Sequence, residues 1–150
     1  MADHTESSID ISAPPSRIMA VISDLTAYPQ WSEGITAVQV LEHTGDRPSL
    51  ARFTLDSGIV RDTYELAYTW DDDRQVSWRL VQAEALLKAL DGSYTLSPNP
   101  DGSTSVRYQL QVDVKVPMIG MMKRKAEKVI IDTALKGLKK RVEATAAHSV

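Results

Sequence analysis

The chain contains no cysteine among its 150 residues. Disulfides, thiolate zinc sites and a cysteine nucleophile are therefore excluded, and a reducing, cytoplasmic setting is expected. Histidine is nearly as scarce: His4, His43 and His148 are the only three, and no two share metal-ligand spacing on one element. Neither a histidine metal site nor a histidine base is expected. No glycine-rich phosphate loop is present. No apolar run reaches the roughly 18 residues that a membrane-crossing helix needs. The opening MADHTESSID is polar and acidic. It lacks the basic and apolar regions of a secretory signal, which again points to the cytoplasm. With no repeat, low-complexity tract or linker, residues 1–150 read as one domain.

What is present is unevenly placed. Residues 1–114 carry 8 basic against 17 acidic side chains, a charge of −9, while residues 115–150 carry 9 against 3, a charge of +6. The positive excess thus belongs to the last element. It reads either as a solvated helix face or as a docking face, with weak contact to an anionic membrane as one use. Nucleic acid is not expected as a partner, because Lys123 to Arg141 offers no aromatic side chain for base stacking.

Apolar spacing divides the chain into three parts. TESSIDIS, residues 5–12, reads as a first strand closed by Pro14 and Pro15; Ser16 or the prolines then open a helix carrying Ile18, Met19, Val21, Ile22 and Leu25. A second short helix is expected, with Pro29 in its first turn. From about residue 35 to 114 the period is two, giving strands near 35–43, 49–55, 59–70, 75–81, 85–96 and 104–114. Gly92 suggests a bulge in the fifth of these. Asp71-Asp72-Asp73 and Pro98-Asn99-Pro100-Asp101-Gly102 read as turns rather than cation sites. After Pro117 the period becomes helical. Met118, Ile119, Met122, Ala126, Val129, Ile130, Thr133, Ala134, Leu138 and Val142 form a stripe that predicts one helix to about Thr145. The basic residues, Lys123, Arg124, Lys125, Lys128, Lys136, Lys139 and Lys140, are expected to be exposed.

The stretches APPSRIMAVISDLTAYPQW, GITAVQVLE, LDGSYTLSPNPDGSTSVRYQLQVDV and VPMIGMM, the last followed by a basic amphipathic helix, resemble one known family. It is the polyketide cyclase/dehydrase and lipid-transport family of the START/Bet v 1-like (SRPBCC) superfamily. The resemblance implies an α+β helix-grip fold: a curved antiparallel sheet of about seven strands wrapped around a long C-terminal helix, with two short helices after the first strand. It also implies a cavity for a small hydrophobic molecule such as a lipid, quinone, isoprenoid or polyketide-like compound, and no cofactor.

The expected lining follows from strand and helix phase: Phe53, Asp62, Tyr64, Leu66, Tyr68, Trp78, Tyr94, Tyr108, Met118, Met122, Ala126 and Ile130. Trp70 shares the inward phase, and Arg52 is expected to point outward. Asp62 is in phase with Tyr64 and Leu66. It reads either as a hydrogen-bonded carboxylate at the cavity mouth or as a general base whose pKa is raised by desolvation. Three functions follow: carriage of a hydrophobic ligand, cyclase or dehydratase chemistry on a polyketide-like substrate, or an adaptor acting through the basic helix face. No catalytic residue is assigned.

Overall fold

The structure is a computed structural model that describes residues 5–56, 61–116 and 120–147, with side chains described as far as residue 144. Strand β1 (Thr5–Ile11) leads into α1 (Pro15–Ser23) and a 3₁₀ helix (Leu25–Gln30). Six strands follow: β2 (Ile35–Thr44), β3 (Arg47–Asp56), β4 (Arg61–Asp71), β5 (Gln75–Ala83), β6 (Leu87–Pro98) and β7 (Thr104–Val114). Helix α2 (Gly120–Ala147) closes the order. The seven strands form one antiparallel sheet, β1-β7-β6-β5-β4-β3-β2, so the first strand enters beside the last and all other neighbours are sequential hairpins. The expected α+β architecture is present. Local chemistry accounts for its joints. Pro15 occupies the start of α1, where a missing N–H costs nothing. Gly102 (φ 91°) and Gly45 (φ 64°) take the left-handed conformation that their hairpin turns require. Pro29 lies near the end of the 3₁₀ helix, not in its first turn.

Gly92 does not form the expected bulge. The register shift in β6 falls between Leu87 and Ala89, while Gly92 pairs regularly with Leu110. Its role is close approach: a Cβ there would sit 2.6 Å from Trp78 Cζ2 and 2.8 Å from the Gln109 carbonyl oxygen. The β5–β6 ladder runs from Gln75–Thr95 to Trp78–Gly92. Beyond it the Leu80 amide donates to the Asp91 carboxylate at 3.0 Å instead of to a strand.

Helix α2 lies over β1 and β7. Its buried line is Glu127, Ile131, Leu135, Leu138 and Val142. The last four pack with Ile11, Ile18, Met19, Ile22, Val106, Tyr108 and Leu110 in one core. The expected stripe was therefore correct at Leu138 and Val142 but out of phase toward the N-terminus. Met122 (56% exposed), Val129 and Ile130 (40% exposed) face outward, and Thr133 is exposed too. The reason is Glu127. This carboxylate, not an aliphatic side chain, takes the inward position of the early turns, accepting from Thr5 Oγ1 at 2.7 Å and from the Val112 amide at 2.8 Å. The described β1 ladder runs as far as Thr5–Leu110, and one step further along β7 it is Glu127 that accepts the Val112 amide. Met118 and Ile119 lie outside the described residues.

Candidate functional site

An aromatic belt crosses the sheet face that α2 covers. Phe53 on β3 stacks on Tyr64 of β4 at 5.5 Å between ring centroids. Tyr68 of β4 meets Trp78 of β5 at 6.0 Å. Trp78 in turn contacts Tyr94 of β6 and Tyr108 of β7 at 5.5 and 5.6 Å, and those two tyrosines lie 4.6 Å apart. Alternation in the strands brings these side chains together, because residues two apart share a face and paired strands are in register. Leu66 joins the same packing with Phe53 and Tyr64. Trp70 is a neighbour rather than a lining residue: its indole donates to the Pro48 carbonyl at 2.6 Å, and the Arg47 guanidinium lies over its ring.

The hydroxyls of this belt are distinctive. Tyr64, Tyr68, Tyr94 and Tyr108 make no hydrogen bond among the described residues. Nor are their oxygens sealed in: Trp31 Nε1 is the one unpartnered side-chain polar atom that is fully covered among those residues. Burial pushes the Tyr68 and Tyr94 hydroxyls well above the ordinary tyrosine value, and raises Tyr64 and Tyr108 in the same way. They remain protonated donors at any physiological pH. Tyr68, Trp78, Leu90 and Val112 are only half-buried, although their neighbours in the core are closed off. Four donors thus converge on a surface of aromatic and aliphatic side chains.

Sequence phase found Phe53, Tyr64, Leu66, Tyr68, Trp78, Tyr94 and Tyr108, and the structure brings these together. It missed Tyr28 and Trp31 of the 3₁₀ segment, which extend the belt: Tyr28 lies 4.9 Å from Trp31 and 6.2 Å from Phe53. Tyr28 differs from the others because its hydroxyl donates to the Ile22 carbonyl at 2.5 Å. It also missed Leu90 and Val112, which pair across β6 and β7. Their phase with Tyr94 and Tyr108 was the available signal. Ala126 is half-buried on the flank of α2. Met122 and Ile130, expected to line the space, are among the exposed side chains instead.

Asp62 also needs correction. It is buried, as its phase implied, but it faces the loop between β5 and β6 rather than a ligand. Its two oxygens accept four backbone N–H groups: Glu84 and Ala85 at 3.1 and 2.9 Å, Leu86 and Leu87 at 2.9 and 2.8 Å. Desolvation pushes its pKa up, but the donors from Leu87, Leu86 and Ala85 outweigh that and hold it below the ordinary aspartate value. A carboxylate so held anchors a loop; the raised-pKa general base is not present here. Arg52 points outward as expected, donating to Glu65 at 2.9 Å. The Asp71–Asp73 turn is occupied by arginines: Arg74 reaches Asp71 at 3.0 Å and Arg47 reaches Asp73 at 2.6 Å. No group of three or more potential metal ligands occurs among the described residues. An open recess of about 240 Å³ between α1, the 3₁₀ helix and α2 is lined by Arg17, Asp24, Trp31 and Arg141 with small aliphatic residues. It includes none of the expected lining, and three of its seven lining residues, Arg17, Asp24 and Arg141, are charged, which does not suit an apolar body.

A curved sheet gripping one long C-terminal helix, with an aromatic face between them, defines the helix-grip architecture of START-like proteins. The sequence profile described as "Polyketide cyclase / dehydrase and lipid transport" matches residues 2–143. The chain belongs to that family. Among solved structures it is similar to a START superfamily protein from Mycobacterium smegmatis, at 25% identity and TM-score 0.87, covering 96% of this chain and 99% of that one. It is similar in fold to the Zhui aromatase/cyclase of a Streptomyces species, at 15% identity and TM-score 0.81 with 99% of both chains covered. A protein of Thermus thermophilus has the same fold, at 20% identity and TM-score 0.78, covering 95% of this chain and 99% of that one. No protein of curated function matches the sequence.

Proposed function

We propose that the protein binds a small hydrophobic molecule between α2 and the aromatic face of the sheet. The carrying observation is the set of four tyrosine hydroxyls, Tyr64, Tyr68, Tyr94 and Tyr108, that are deep in the fold yet neither hydrogen-bonded nor sealed. A packed core would pair or cover such groups, since an unmet buried polar group costs about 1–3 kcal/mol. A guest with an apolar body and acceptor oxygens would satisfy both the rings and the hydroxyls. Lipids, quinones, isoprenoids and polyketide-like compounds all have that character, and the family's description is consistent with it.

The test is native mass spectrometry of freshly purified protein, with extraction of whatever co-purifies, beside titration of an environment-sensitive apolar dye. Tyr68→Phe removes one unpartnered hydroxyl, so its unfolding free energy should stay within about 0.5 kcal/mol of the parent. Retention of a guest that uses that hydroxyl should fall by about tenfold, the equivalent of one hydrogen bond. A parent protein that takes up no apolar dye and carries no guest would sink the proposal.

A further inference from the structure

The end of the grip at the start of α2, called the open end for the half-buried Leu90 and Val112 beside it, has a surface rich in exposed apolar side chains. The β5–β6 loop, the end of β7 and the first turns of α2 meet there: Leu87 pairs with Val114, and the Lys115 amide donates to the Leu86 carbonyl at 2.9 Å. Of the six large apolar side chains exposed among the described residues, three stand at this end: Val116, Met121 (78% exposed) and Met122. Val129 and Ile130 continue the exposed apolar surface along the next turns of α2. Around them stand Lys88, Lys115, Arg124 and Lys125, all exposed; none makes a salt bridge among the described residues, though Lys88 is near enough to Asp113 to help hold its pKa down. The local acids are largely committed. Asp113 is held by Lys123 at 3.2 Å, Glu127 is buried, and Asp132 is paired with Lys128 at 2.9 Å. Glu84 is the one exposed acid of the β5–β6 loop.

We infer that this end docks on an anionic lipid surface, with Met121, Met122 and Val116 entering the headgroup layer and Lys88, Lys115, Arg124 and Lys125 bound to lipid phosphates and carboxylates. Long unbranched apolar side chains among cations of one sign fit the boundary between headgroups and acyl chains. The charge matches a negatively charged leaflet. Residues 1–114 apart from Lys88 carry 7 basic against 17 acidic side chains, a net −10, and would be repelled, which fixes the orientation. Docking would bring the open end of the grip against the phase in which an apolar guest resides. It depends on the cavity reading for its purpose and not for its geometry, so the two fail separately.

Flotation with vesicles of phosphatidylcholine alone, and of phosphatidylcholine mixed equally with phosphatidylserine, tests it. The full chain should float only with the mixed vesicles, and less so as salt rises. One cation at such a surface is worth roughly a fivefold change in partition, so Arg124→Glu with Lys125→Glu should reduce flotation by roughly 30-fold or more. Met121→Ser with Met122→Ser should weaken it without changing its salt dependence. Lys136→Glu with Lys140→Glu, further along α2, should leave most of it intact. Dye uptake in solution, without vesicles, should be unchanged in all three variants, which also shows that they fold. Equal flotation with both vesicle types, no flotation by a parent that takes up dye, or equal loss in the Lys136/Lys140 variant would each overturn the docking surface. A size shift caused by self-association and reversed by Met121→Ser would overturn it too, in favour of a second copy of the chain.

Discussion

The two ends of the grip are held by different forces. At the closed end, Leu138 and Val142 of α2 bury against Ile11, Ile18 and Ile22 with no accessible surface beyond 1%. At the open end, two carboxylates anchor backbone beside a smaller packed cluster that includes Tyr64 and Leu87. Asp62 gathers four amides of the β5–β6 loop, and Glu127 ties the early turns of α2 to Val112 and Thr5. Apolar packing is short-ranged and fills the space it stabilises. A carboxylate that accepts several N–H groups fixes backbone at a point and leaves neighbouring volume free. A fold that admits a guest between helix and sheet, as proposed, would have reason to use the second device where the guest enters and the first at the other end.

The closed end should give the largest effect. Leu138→Ala removes a fully buried side chain from the core and should cost about 3 kcal/mol, whereas Val129→Ala on the same helix should stay within about 0.5 kcal/mol. Urea unfolding of the two variants checks this, and similar losses in both would break the contrast between the halves of α2. The Leu138 loss should not depend on pH.

Asp62→Asn should cost about 2 kcal/mol at neutral pH, because an amide offers one acceptor oxygen where four N–H groups converge, and turns its own N–H₂ toward donors. Its pH dependence separates it from packing. The folded pKa lies below the unfolded value, so the carboxylate's contribution is complete above the ordinary aspartate range, near 4, and is lost as pH falls through the lowered folded value. Parent and variant should therefore converge in melting temperature under acid and diverge as pH rises toward neutrality. A difference that is constant with pH would show that Asp62 acts by shape rather than charge.

The same contrast explains what the sequence made legible. Strand ends were readable within a few residues because alternation and turn residues are local signals; β7 was placed at Thr104–Val114 by spacing alone. The aromatic belt was readable for the same reason. The early turns of α2 were not. Apolar residues occur on more than one side of the helix there, and the inward position is a glutamate, which hydropathy assigns to solvent. Lys123 misled in the same way: expected outside, it is only 19% exposed and covers Asp113. Asp62 was placed inside correctly, but its chemistry depends on amides of residues 84–87, some 22 to 25 positions away, that no side-chain pattern reveals.

The smallest effect should be the most local. In Glu127→Gln the side chain keeps its length and one acceptor oxygen but loses its charge and its second acceptor. The amide oxygen can still accept from the Val112 N–H and the N–H₂ can donate to Thr5 Oγ1, so what is lost is the charge that strengthens both bonds, while Lys123, 3.8 Å away, keeps Asp113 as its remaining acidic partner. The loss should be about 1 kcal/mol, the difference between hydrogen bonds to a charged and to a neutral acceptor. Its location is the sharper readout. The Val112 amide lies beyond the end of the β1 ladder, so Glu127 is its acceptor, and its hydrogen exchange should accelerate in the variant. Leu110, fully buried and paired with both Thr5 and Gly92, should exchange as in the parent. Faster exchange confined to Val112 and the first turns of α2 would show that the open end loosens on its own. Equal acceleration at Leu110 and along Ile131–Leu138 would mean that the two ends of the grip open as one unit, and that the carboxylates hold the whole fold rather than its rim.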